Sequence, residues 1–339
     1  MTNVTKVTNV TKVTKVWKTK ISLFLTFVTF FTFVTSVAFP EAGRTTAQFL
    51  ARDVGTRALA LGGAVTALPG DVESLAYNPA GIGTLERTQI NVMYSQGIIR
   101  DGFGFVGIGA PVSRPLYLGV GAISYDAGNI ELNLSNGVKE TRKAQQDFAG
   151  IAAAALRPWS FVSLGGSIKS FRSSLAEEYK ASGYAADGGI IWKIPRSKTQ
   201  AGDFYLAASV NNAGPDITYY KVKDPLPTKT STGVGWRYNR VKQDNLTKVP
   251  VGWEIFLLGD YSQTKLDDPV ASVGLELTQI HLFESDNIAS LRLGYKDFKK
   301  YPTSHAGFFW GSQEYGFSYA IVIHKSGLLQ HQFALTFKL

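Results

Sequence analysis

Residues 102–107, Gly102-Phe103-Gly104-Phe105-Val106-Gly107, spell Gly-x-Gly-x-x-Gly. Between a strand and a helix, that pattern cradles the pyrophosphate of a dinucleotide. Here Pro111 and Pro115 stand where the helix would begin, and the surrounding residues alternate as a strand does. The phosphate-binding geometry is therefore absent, and the glycines read instead as places where another backbone comes close. The four histidines, His281, His305, His324 and His331, lack metal-ligand spacing. No Walker lysine motif and no Gly-x-Ser-x-Gly elbow occurs. With no cysteine, disulfides and thiolate ligands are excluded. The expectation is a protein that is not an enzyme, with no cofactor and no metal site. A Ser/His hydrolase assembled across strands is the enzymatic alternative, since such sites are defined by geometry rather than by motif. Lys221, Lys223, Asp224, Lys229 and the pair Glu177-Glu178 read as solvated loop charges.

The chain has 339 residues and a formal charge of +9, from 35 Lys+Arg against 26 Asp+Glu. Lys6, Lys12, Lys15, Lys18 and Lys20 lie in the first 20 residues, which hold no acid; without them the balance is 30 against 26. The basic excess belongs to a leader, so no nucleic-acid partner is indicated. After Lys18-Thr19-Lys20 an uncharged run extends from Ile21 to Phe39, with Ser36-Val37-Ala38 at its end. A basic region, an apolar run and small residues make a signal peptide over 1–38, its low-complexity basic part covering 1–20. An uncleaved anchor is the alternative, because the apolar run approaches spanning length.

From residue 88 the pattern changes to short alternating segments. Ile90, Val92 and Tyr94 alternate with Gln89, Asn91 and Ser95; Val162, Leu164 and Ile168 stand opposite Ser163, Ser167 and Lys169. A period of two places one face in an apolar medium and the other against polar or small groups. Fifteen such segments can be drawn, and joining 116–134 as one strand bent at Gly128 gives fourteen. Strands of this length after a signal peptide imply an all-β fold: an antiparallel transmembrane β-barrel of about 14 strands over 88–339. Short connections at 112–115, 157–160 and 312–314 fall on one side and the long ones at 135–145 and 212–230 on the other, with 240–251 an exception. Trp159, Trp192, Trp236, Trp253 and Trp310 lie near strand ends, as in the aromatic girdles of such barrels. The location implied is the outer membrane of a diderm bacterium, with outer-membrane lipids as surroundings.

Before the first strand stands a Gly/Ala-rich stretch, Gly55 to Gly83, including Gly62 and Gly63 and ending in Asn78-Pro79-Ala80-Gly81-Ile82-Gly83. Asp71 reads as the cap of a short helix over 72–77, which Asn78-Pro79 then stops. Residues 39–87 are expected to form a compact element packed against the barrel. At the other end Phe333, Leu335, Phe337 and Leu339 alternate with Gln332, Ala334, Thr336 and Lys338. That ending resembles the C-terminal signal read by the barrel-insertion machinery, although the usual final residue is Phe rather than Leu.

Gly55-Thr56-Arg57-Ala58-Leu59-Ala60-Leu61-Gly62-Gly63-Ala64, the acidic-to-Asn-Pro-Ala-Gly stretch at 71–81, and the later Asn211-Asn212-Ala213-Gly214 together resemble the FadL-type outer-membrane transport proteins. They are most similar to a branch that includes the PorV and PorQ proteins. The resemblance implies that 39–87 folds inside the barrel as a hatch, with Gly62, Gly63, Asn78, Pro79, Ala80 and Gly81 in it. It also implies a kinked third strand that opens a gap toward the membrane, matched here to Asp126, Ala127 and Gly128. The implied function is passive uptake of an apolar, fatty-acid-like small molecule. Leaving water for lipid favours such a solute by about 25 cal/mol per Å² of apolar surface. The alternative is a non-transporting, PorV-like protein that holds a secretion-system protein partner.

Overall fold

The computed structural model describes residues 45–97, 101–133, 138–195, 202–221, 223–243, 250–280, 287–297 and 302–339. The leader expected over 1–38 and the first residues of the 39–87 segment lie outside them.

Fourteen strands close into one antiparallel barrel. In chain order they are β1 (Gln89–Gln96), β2 (Gly102–Ser113), β3 (Leu116–Asp126), β6 (Gln145–Trp159), β7 (Val162–Leu175), β8 (Tyr179–Ile194), β9 (Asp203–Ala213), β12 (Lys229–Gln243), β13 (Pro250–Thr264), β14 (Val270–Ile280), β15 (Ile288–Asp297), β16 (Thr303–Gly311), β17 (Tyr315–His324) and β18 (Leu329–Lys338). Two hairpins stand apart from the wall: β4 (Asn129–Asn133) with β5 (Lys139–Lys143), and β10 (Ile217–Thr218) with β11 (Lys223–Asp224). Each barrel strand pairs with its sequence neighbour in the wall, and the cylinder is sealed where β1 meets β18, from Gln89↔Lys338 to Gln96↔His331. The rim carrying Gln89 and Lys338 is called lower here, the opposite one upper.

The period-two pattern decides which way each side chain faces. Val92, Val120, Ile168, Val273, Leu291 and Leu335 point outward and are exposed. Lys169, Asp187, Asp260, Glu276, Arg292 and Gln332 point inward and are buried. A closed barrel with an apolar outside and a polar inside satisfies every backbone group without water on its outer face, as a membrane-spanning barrel must. Among the described residues no helix is long and apolar enough to cross a membrane. Aromatic rings gather toward the lower rim, where Phe204 faces Trp236, Tyr238 lies 5.5 Å from Trp253, and Trp159 stacks on Phe161.

The count of fourteen stands, but one strand differs from the sequence expectation. β3 stops at Asp126, and 129–133 is not its bent continuation within the wall. That segment pairs with β5 in its own two-stranded ladder beyond the upper rim. Asp126 Oδ1 accepts from Gly128 N at 2.8 Å, a local turn that competes with continued pairing. The long connection at 240–251 shortens because β12 runs to Gln243 and β13 begins at Pro250; the six residues between lie outside the described ones.

Candidate functional site

Residues 45–85 occupy the lumen. They form one short α-helix, α1 (Thr56–Ala60), and three 3₁₀ turns, Gln48–Ala51, Val72–Ala76 and Pro79–Thr84. As expected, Asp71 caps the second turn, its side chain accepting from Glu73 N at 3.0 Å. The chain is stopped at Asn78 and at once restarts, because Asn78 Oδ1 accepts from Ala80 N at 3.2 Å and Pro79 occupies the first position of the next turn.

The wall makes room for this plug by omitting side chains. A Cβ on Gly165 of β7 would lie 2.3 Å from Pro79 C and Ala80 N, and one on Gly189 of β8 would lie 2.0 Å from Asn78 Oδ1. On the opposite wall a Cβ on Gly294 of β15 would lie 2.2 Å from Gly62 N. Gly62 in turn holds φ at 65° and abuts the Tyr295 backbone, a conformation and an approach that both favour glycine. Asn78 is fully buried and also donates from Nδ2 to Thr66 O at 2.7 Å, while Ser163 Oγ donates to Ala80 O at 2.6 Å. Gly81 packs on Ser74 and Gly63 lies beside Asp53. Thus Gly62, Gly63, Asn78, Pro79, Ala80 and Gly81 all lie inside the barrel, the glycine pair against β15 and Asn78 to Ala80 against β7 and β8. Of the Gly-x-Gly-x-x-Gly residues, Gly107 faces Leu75 of the plug and Gly104 faces Ser124 of β3, the close approaches expected of glycines in a strand.

The plug meets the wall through apolar clusters and buried charge. Along β2, β3 and β6 it meets Phe103, Phe105, Tyr117, Ile123, Ala149, Ile151 and Ala153, which join Phe49, Leu50, Leu75 and Ile82 in one apolar cluster, with the Arg52–Asp101 ion pair at its edge. From β12 to β18 it meets charge beside apolar contacts, Leu61 and Val65 packing with Phe256 and Leu258, and Leu59 and Ala60 with Ala320 and Val322. Arg57 Nε and Nη2 donate to Glu276 Oε2 and Oε1 at 2.7 and 2.8 Å, and Arg292 Nε donates to the same carboxylate at 2.9 Å. Asp260 Oδ2 accepts from Val65 N and Thr66 N at 2.9 and 2.8 Å. Lys296 Nζ donates to Asp53 Oδ2 at 2.7 Å. Burial alone would raise the Asp53 carboxyl, but Lys296 and Lys229 outweigh it and hold it down to about 2. Glu73 goes the other way: burial, reinforced by the Asp71 charge, lifts it to about 8 despite Arg292 and Arg57 nearby. Below the plug a cavity of about 590 Å³ opens at the lower rim, lined by Arg57, Glu73, Arg157, Arg237, Arg292 and Lys338 among others.

No family model and no curated protein matches this chain in sequence. Solved structures do match. The CymD monoaromatic hydrocarbon channel aligns at TM-score 0.53 and 11% identity, covering 84% of this chain and 97% of that one. The fold is shared. The Pseudomonas putida toluene transporter TodX gives TM-score 0.48 at 10% identity over 83% of this chain and 96% of its own. A Pseudomonas aeruginosa FadL homologue gives 0.47 at 9% identity over 84% and 98%.

Asp126, Ala127 and Gly128 stand apart from the plug, at the upper rim. The ladders on both sides of β3 reach Asp126, which pairs with Gly102 and with Gln146; the one irregularity, at Pro111/Ser113, lies near the opposite rim. Gly128 holds φ at 80° with no atom within 4 Å of its would-be Cβ. Phe333, Leu335 and Phe337 lie on the outer face of the sealing strand and Leu339 just past its end, each well exposed. Of the charged partners of the plug, Asp260, Glu276 and Lys296 were not singled out by sequence. Their signal was a charge at inward parity in an otherwise apolar strand, as in Leu275-Glu276-Leu277 and Leu291-Arg292-Leu293.

Proposed function

We propose that this protein is an outer-membrane barrel for passive uptake of hydrophobic small molecules, with 45–85 as a hatch that shifts to let them through. The observation that carries the reading is the apolar cluster between the plug and β2, β3 and β6, where Phe103, Phe105, Ile123 and Ile151 meet Phe49, Leu50, Leu75 and Ile82. An apolar solute passing along such a surface gains by leaving water. The likeness of fold to a hydrocarbon channel supports the same reading. Asp126-Ala127-Gly128, where the chain turns out of the wall above β3, is the bend proposed for a sideways exit, which requires the Asp126 pairs with Gly102 and Gln146 to part. The lower rim faces the periplasm in this reading.

Deleting 45–85 tests the hatch. The barrel should still insert, and its conductance in planar bilayers should rise. Unchanged conductance means that the segment does not block the lumen. A second reading, a PorV-like protein that holds a secretion partner, draws on the same packing. Wall glycines fitted to Pro79, Ala80 and Gly62 suit a plug that never moves. Co-purification separates the two: bound apolar solute favours uptake, and a stoichiometric protein partner without solute favours the second.

A further inference from the structure

The cavity below the plug plays no part in the uptake reading, although charge dominates its lining. It holds about 590 Å³, within the roughly 300–1,000 Å³ of small-molecule sites. Plug and wall both build it. Arg57, Asp71, Glu73, Glu86 and Arg87 come from the segment before β1. Arg237, Glu254, Glu276, Arg292 and Lys338 come from the strands between β12 and β18, with Arg157 of β6 and Lys193 of β8 across from them.

Most of these charges answer one another. Glu276 takes Arg57 and Arg292 together, and Asp71 Oδ2 lies 3.5 Å from Arg57 Nη1. Arg237 pairs with Glu254 at 2.7 Å and Lys193 with Asp203 at 2.8 Å. What remains is Arg87, Arg157 and Lys338 against Glu86 and Glu73, and Glu73 is neutral at pH 7 because burial lifts it to about 8. Three cations against one ionised acid leave two positive charges unanswered. Donors are left over as well. Arg292 is 5% exposed, and its Nη1 is buried without a hydrogen-bond partner. Lys338 Nζ makes no ion pair or hydrogen bond among the described residues; the acids that act on it, Asp71 and Glu86, stay out of bonding reach. A buried guanidinium with an unused N–H carries a cost that an acceptor would recover.

We propose that this cavity binds a soluble, multivalent oxyanion, a small molecule carrying phosphate or carboxylate groups, which enters by the lower mouth and is held by Arg292 and Lys338. The unanswered charge attracts the anion, and the two open donors fix it on the β15 and β18 side. Because plug and wall both line the cavity, it exists only while the plug is seated. Whatever binds there therefore holds the plug in place by mass action. The site is independent of uptake and needs no solute to pass.

Inorganic pyrophosphate is the probe. Calorimetric titration of the detergent-purified protein at pH 7, without divalent metal and at constant ionic strength, should show saturable binding. Lys338→Met removes an open donor and breaks no bond, and should weaken that binding at least about tenfold, the effect of one hydrogen bond between charged groups. Lys180→Met, on an exposed position of β8 at the upper rim, should bind as the native protein does. Pyrophosphate should also slow hydrogen exchange over 56–60 and 72–76 in the native protein, and do so less in Lys338→Met at the same concentration. No binding by the native protein overturns the site, and so does equal affinity in the native protein and Lys338→Met, or equal weakening in both variants. Binding that leaves exchange unchanged overturns the hold on the plug. Competition by phosphatidylglycerol in nanodiscs, absent with phosphatidylcholine, gives the site to a lipid headgroup and overturns the soluble ligand. Heat-shifted gel migration verifies that each variant forms a barrel. None of these readouts measures uptake, so failure here leaves the transport reading standing.

Discussion

Replacing Gly165 with alanine asks whether the plug is seated against the wall as its contacts imply. The new Cβ would lie 2.3 Å from Pro79 C and Ala80 N and 2.5 Å from Pro79 O. Carbon atoms in contact sit at about 3.5–4.0 Å, so the Asn78–Gly81 turn must retreat by more than an ångström. It cannot retreat freely. Asn78 is bonded to Thr66 O and Ala80 O receives the Ser163 hydroxyl. Overpacking of this kind costs about 1–3 kcal/mol. If that cost falls on the seated state alone, the unseated fraction rises about 5- to 150-fold. Gly166→Ala is the control: it is the next residue on the same strand, faces outward, and its Cβ would meet nothing nearer than Asp187 O at 3.6 Å. Strand propensity therefore changes equally in both variants. Opening frequency in planar bilayers and hydrogen exchange over 72–84 should both increase in Gly165→Ala and stay at the native level in Gly166→Ala. If the two variants behave alike, the plug is not held by the wall at this point.

Glu276→Gln should destabilise the barrel more than Arg57→Gln. The first leaves both Arg57 and Arg292 without their shared carboxylate, whereas the second leaves Glu276 paired with Arg292. Breaking a buried pair costs about 3–5 kcal/mol, reduced here because the Arg57 side chain is 19% exposed; thermal unfolding of the two variants in detergent gives the order, and the reverse order refutes it. Glu73 makes the plug sensitive to alkali. Its folded-state value of about 8 exceeds the ordinary 4.5, so the folded form binds more protons between those limits and the contribution, complete below pH 4.5, is lost as pH rises through 8. Plug amides should exchange faster at pH 9 than at pH 6 after correction for intrinsic rates, and Glu73→Gln, which keeps the acceptor for Thr56 N and Asn91 Nδ2, should abolish the difference.

The wall of the barrel was legible in the sequence because a membrane outside and a polar lumen inside leave a period of two with little noise. Ile90-Asn91-Val92 and Leu164 to Ile168 state which way they face. Asn78-Pro79-Ala80-Gly81 was legible as a stop and as part of the segment before the first strand. What was hidden depends on closure. Nothing local to Glu276 announces that its partner is Arg57, 219 residues earlier. The end of β3 at Asp126 was masked because 129–133 alternates as well, and only its pairing with β5 takes it out of the wall. α1 escaped notice because five residues are too few to show a helical period.

The seam between β1 and β18 has a consequence for assembly. The plug precedes β1 and is joined to it by residues 86–88, so it exists before any wall surrounds it. Pro79 and Ala80 can settle as soon as β7 has formed. Arg57, Leu61 and Gly62 have no counterpart until β14 and β15 have joined the wall. An arginine without its carboxylate inside a half-built sheet is costly, so stable docking requires the C-terminal third of the wall. β18 then completes the cylinder around a plug already inside it. The strand that bears Phe333, Leu335 and Phe337 on its outer face is therefore also the one that takes the plug prisoner: it cannot depart through this seam without parting Gln89 from Lys338 and every pair above them.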